Sequence, residues 1–107
     1  MDRALSLGAA VRTLAGLFEG VESLTPYGGR AVSWEPFGSV WLKTGPARLR
    51  EKGEPGGARA TESMTAEARA DTRLTPARVL RFRGADWRIR SAETVGGQAI
   101  LNLERIR

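Results

Sequence analysis

The chain has 107 residues, 41% of them hydrophobic, and a formal charge of +5. That length suits one domain with one modest core. With no cysteine and no histidine, disulfides, thiolate nucleophiles, imidazole bases and nearly every zinc site are excluded.

No apolar stretch approaches the roughly 20 residues of a membrane helix. Met1 to Ala10 lacks the basic start and long apolar run of a signal peptide. No membrane partner is expected. The positive charge is uneven: Arg78 to Arg107 holds seven arginines against three acids, a net +4. Fifteen of the 17 basic residues are arginine, the side chain suited to bidentate pairing with carboxylate or phosphate. A base-rich genome gives the same bias without functional meaning.

In chain order, Leu7, Val11, Leu14 and Phe18 keep helical spacing, but Gly8 and Gly16 weaken a helix. A strand from Val11 to Phe18 after a loose N-terminus is the preferred reading. Glu19 to Arg30, with Gly20, Pro26, Gly28 and Gly29, reads as a connection. Ala31–Trp34 and Ser39–Thr44 read as two strand pieces parted by Glu35-Pro36-Phe37-Gly38, where the proline argues for a bulge or an edge. Gly45-Pro46 closes the second piece, though Ala47–Arg50 is able to continue it. Glu51 to Gly57 reads as an exposed, mobile loop, since three glycines, a proline and three charges cannot pack a core element.

Ala60 to Thr72 is contested. Its composition favours helix and tilts the residue-level reading that way. Its alternation favours strand, with Met64, Ala66, Ala68 and Ala70 on one side. The last third is clearer. Val79–Arg83, a turn at Gly84-Ala85-Asp86, and Trp87–Arg90 form a hairpin signature. A second hairpin turns at Gly96-Gly97 into Ala99–Ile106. These three strands and the earlier pieces predict an all-β fold: a small antiparallel barrel or sandwich of five or six strands.

Candidate sites are few. If Leu80, Phe82, Trp87 and Ile89 face the core, Arg81, Arg83, Arg88 and Arg90 line one outward face. Like charges opposed across strands weaken pairing, so that face is either an interface, a nucleic-acid-facing patch, or a solvated surface screened by Glu93 and Glu104. Trp34, Trp41 and Trp87 are read as core in preference to stacking platforms. Tyr27, beside Gly28 and Gly29, is read as a turn residue capping the barrel. The glycine pairs Gly28-Gly29, Gly56-Gly57 and Gly96-Gly97 open no helix and make no phosphate loop. Glu19/Glu22 and Glu51/Glu54 sit in turn-rich segments where pKa tuning is hard. No catalytic, metal-binding or cofactor-binding residue is expected, and no cofactor.

The order Tyr27-Gly28-Gly29, Trp34, Val40-Trp41, a long charged segment, Arg78-Val79-Leu80-Arg81-Phe82-Arg83-Gly84, then Trp87-Arg88-Ile89 resembles the phage head–tail joining family, also called head-closure or stopper proteins. The likeness covers roughly residues 10 to 107. It implies a single small β-barrel domain with a long loop or extended hairpin inserted at about 45–72, and it makes Ala60–Thr72 a strand. It also implies a structural, non-enzymatic subunit at the neck of a phage or gene transfer particle assembled in a bacterial cytoplasm. That subunit would form a homo-oligomeric ring of six or twelve copies between a portal- or adaptor-side protein and a tail-side protein, closing the DNA channel. Glu51, Lys52 and Glu54 become candidate loop contacts, and the four arginines candidate contacts to protein or packaged DNA. A tail-completion protein and a small-barrel nucleic-acid-binding module are the alternatives.

Overall fold

The structure, a computed structural model, describes residues 11–54 and 57–107, without the side chains of 52–54 and 57–59. The loose N-terminus expected for residues 1–10 lies outside the described residues. So do the tip residues Pro55-Gly56 and the side-chain contacts expected of Lys52 and Glu54.

The fold is all-β and antiparallel, with seven strands where five or six were expected: β1 (Arg12–Leu24), β2 (Arg30–Thr44), β3 (Arg48–Glu54), β4 (Gly57–Arg69), β5 (Val79–Phe82), β6 (Ala85–Val95) and β7 (Gln98–Ile106). Their order is β2-β1-β5-β6-β7-β4-β3. Lys43 and Thr44 of β2 also pair with Glu67 and Ala66 of β4, so the hydrogen-bonded order returns on itself and β3 hangs outside the ring.

Several boundaries move. β1 runs on through Leu24, so most of the expected connection is strand. β2 is one continuous strand, its register shifting between Gly16 and Phe18 opposite Pro36–Ser39. The bulge and edge that Pro36 called for are both present, because this part of β2 pairs only with β1. Gly38 takes a φ of 135° there, in a region that favours glycine, and a Cβ on it would collide with the Arg73 guanidinium.

The expected loop Glu51–Gly57 is mostly strand. Arg48 to Glu54 pairs residue by residue with Ser63 to Gly57, and these ladder bonds hold glycine-rich, charged chain extended without a core. Ala47–Arg50 does not extend β2, since β3 is a separate strand. The contested segment is a strand, as its alternation required. Met64, Ala66 and Ala68 are buried, and its register with β7 runs from Ser63↔Glu104 to Arg69↔Gln98.

The meander β5–β6–β7 is as expected except at its first turn. Phe82 pairs with Ala85, so the turn is Arg83-Gly84, one residue earlier than the sequence suggested. Both residues have positive φ, 54° and 74°, the signature of a type I′ hairpin. Gly96-Gly97 forms the second turn.

The core fills the ring. Leu17, Leu42, Leu80, Ile89, Leu101 and Leu103 are its largest fully buried side chains, and no described polar residue is buried. Alanines at 15, 66, 68 and 99 complete it and leave room for Phe82 and Trp87, whose rings stack at 6.0 Å and 17°. Leu74 is buried against the core from the β4–β5 connection. That connection is pinned by Asp71, whose Oδ1 accepts from the Arg73 backbone N–H at 2.9 Å and whose Oδ2 pairs with Arg73 at 2.6 Å. The Arg73 side chain, then its backbone N–H, hold the Asp71 carboxyl below the usual carboxylate range.

Candidate functional site

Beyond Phe18 on β1 and before Phe37 on β2, the first hairpin leaves the ring. Here β1 pairs only with β2, so the segment is a two-stranded ribbon with both outer edges open. Isolated ribbons of this kind are marginal in water. Its turn is well built nonetheless. Thr25 donates its backbone N–H to the Gly29 carbonyl at 2.8 Å, and its Oγ1 accepts from Gly29 N–H at 2.9 Å. Gly28 supplies a φ of 84°.

The register sorts the ribbon's side chains. Leu14↔Trp41, Phe18↔Pro36, Gly20↔Trp34, Glu22↔Val32 and Leu24↔Arg30 are opposed pairs of one face. That face is the outer one, because Ala15, Leu17, Val40 and Leu42 point into the core. It carries an apolar stripe, from Trp41 and Leu14 past the Gly16–Ser39 pair to Phe18 and Pro36, then Trp34, Val32 and Leu24, with Glu22 and Arg30 among its distal residues. A Cβ on Gly20 would meet both the Trp34 ring and Val32 at 3.3 Å, so the indole covers the glycine across the strand.

This corrects the placement of two tryptophans. Trp34 is 43% and Trp41 57% exposed, whereas Trp87 is 4% exposed and sits in the core. Tyr27 is 97% exposed at the ribbon tip and caps nothing. Exposed apolar stripes of this extent mark interaction surfaces. Sequence reading missed it because Val40-Trp41-Leu42 is apolar on both faces. The available signal was the alternation of Leu14, Gly16 and Phe18 opposite the tryptophan strand.

The four arginines are exposed, but the structure does not oppose them as a like-charged row. Arg81 faces Asp86 across the hairpin and donates Nε–H to it at 2.7 Å. This raises its already high pKa, and its guanidinium also lies 4.5 Å from the Phe18 ring centroid. Arg83, in the turn, reaches Thr13 Oγ1 at 2.8 Å and Thr44 Oγ1 at 3.2 Å, tying the turn to β1 and β2. Arg90 occupies a bulge in β6 and pairs with Glu104 at 2.7 Å. Arg88 stands opposite Glu104 and has no ion partner among the described residues. Arg105 and Arg107 both meet Glu62 at 3.1 Å. Exposed pairs add little stability, but they neutralise much of the C-terminal excess. Glu51 is exposed on β3.

A second surface is concave. The outer face of β4 and β7, overhung by β3, forms an open groove of about 820 Å³ bordered by Arg48, Arg50 and Arg90, with Pro46, Val95 and Ile100 as apolar lining. Among the described residues no cluster of three or more acidic side chains is arranged to hold a metal, and no helix is long and apolar enough to cross a membrane.

No protein-family model matches the chain, and no curated protein matches it. A solved structure does. It is a chain of the "Virion of native gene transfer agent (GTA) particle", which superposes with a TM-score of 0.68 at 20% identity over 87% of this chain and 93% of that one. The fold is one used in a gene transfer agent virion.

Proposed function

We propose that this chain is a structural component of a phage-like particle and, within it, a head–tail connector subunit of the stopper type. One observation carries the first part of this reading, the superposition on a chain of a virion; the connector role rests on the sequence's resemblance to the head–tail joining family. The surface supports it. A small ring of strands with two projecting hairpins and an uncovered apolar stripe needs neighbours, and cyclic assemblies supply them by repeating one heterologous contact. In this reading the subunits form a ring at the particle neck, the tail docks on one side, and the β3–β4 hairpin reaches the adaptor or narrows the DNA channel. No catalytic residue takes part.

The nucleic-acid-binding alternative loses support from the geometry, because Arg81, Arg90, Arg105 and Arg107 are engaged by carboxylates. Deleting Glu51–Gly57 tests the role of the hairpin. The expected result is a folded ring of strands and particles that fail to join tails or retain DNA, scored by infectivity or gene-transfer titre and by micrographs. Normal particles from this variant would refute that role.

A further inference from the structure

The distal ribbon differs in charge from the rest of the molecule. Residues 19–35 hold Glu19, Glu22 and Glu35 against Arg30 alone, a net −2 in a chain of net +5. Glu19 is bound to Arg78 at 3.4 Å and Glu22 to Arg30 at 3.3 Å. Glu35 has no ion partner among the described residues. The same ribbon exposes Leu24, Val32 and Trp34 on one face.

The groove beneath β3 has the complementary character. Arg48 and Arg50, two residues apart, both border it, and neither has an acidic partner among the described residues. Its carboxylates are Glu67 and Glu104, of which Glu104 is held by Arg90. Pro46, Val95 and Ile100 give it apolar surface.

We propose that the distal β1–β2 ribbon of one copy seats in the β3–β4–β7 groove of the next copy, with Trp34 and Val32 against β4 and β7 and Glu35, on the ribbon's opposite face, beside Arg48 and Arg50 of the overhanging β3. The occupant is a second copy because the acidic, apolar ribbon and the basic, concave groove belong to the same chain. The acidic ribbon itself has no attraction for DNA. The two surfaces lie on different elements, so every copy donates one and accepts with the other. Such a contact propagates head to tail and closes into a ring when the rotation permits. The inference rests on the connector reading for its setting and specifies the contact that would build the ring.

A charge-swap experiment on the full chain tests it by sedimentation velocity. Wild-type protein is expected to self-associate, more weakly at high salt. Glu35→Arg, and separately Arg48→Glu with Arg50→Glu, should each weaken association about ten-fold or more. Mixing the two reversed variants should restore it, because each ribbon then meets a groove of opposite sign. If a reversal impairs folding by circular dichroism, the neutral variants Glu35→Gln and Arg48→Gln/Arg50→Gln should still weaken association. A monomeric wild type, variants that assemble as wild type does, or a mixture that stays apart would overturn the contact. Location of the chain in particles is a separate readout. A neck position without charge-swap rescue removes this contact alone, and rescue with a position elsewhere removes the connector reading alone.

Discussion

Trp87→Ala is expected to destabilise the chain by about 3–5 kcal/mol, the range for truncating a buried aromatic. Trp87 is packed in the core, stacked on Phe82 and paired across the hairpin with Leu80. Alanines already occupy several of the surrounding core positions, so no larger neighbour is free to fill the space. A domain of this size has roughly 5–15 kcal/mol in total, so the variant approaches the threshold of folding. A denaturant titration reads this as a lower midpoint at an unchanged slope. A shift below about 1 kcal/mol would mean that Trp87 is not the centre of the core.

Trp34→Ala combined with Trp41→Ala is expected to give the opposite pattern. Both indoles lie on the outer face of the β1–β2 hairpin. Their loss removes cross-strand contacts worth about 1 kcal/mol or less each, so the fold should survive. Particle assembly, scored as tailed particles in micrographs and as gene-transfer titre, should fall by about ten-fold or more, because buried tryptophans are common energetic anchors of interfaces. Unfolding comparable to that of Trp87→Ala would show that these rings pack against the core. A folded variant with normal titre would show that the stripe is not an interface.

The contrast between the three tryptophans also shows what was legible in the sequence. The C-terminal meander was readable because its strands alternate strictly: Leu80, Phe82, Trp87, Ile89, Leu101 and Leu103 all point inward. Glycine-containing turns punctuate it, although positive φ at Arg83 placed the first turn one residue early. The β1–β2 hairpin was not readable in the same way. Residues 19–24 and 30–36 form a ribbon with no buried side, so burial imposes no alternation on them, and a glycine-bearing polar stretch resembles a loop. Trp41 lies between Val40 and Leu42, and with three apolar residues in a row no pattern says which one faces out. Size argued for the tryptophan, but the space inside the ring is already taken by Trp87, Phe82 and the leucines. Within the β3–β4 hairpin, Glu51 to Glu54 was read as loop because its ladder depends on backbone pairing, which leaves no apolar alternation in the sequence. The groove was invisible to sequence reading, since Arg48, Arg90 and Ile100 come together only when β3, β6 and β7 meet around β4.

The central claim is that this chain is a subunit of a particle neck. The most direct measurement is the density of purified particles, with the chain located by fitting its fold or by a label on Tyr27 at the exposed ribbon tip. A ring of copies of this chain between capsid and tail is the predicted result, with ribbons touching adjacent copies. Particles that lack the chain, while the isolated protein binds free nucleic acid tightly and with strong salt dependence, would contradict the claim.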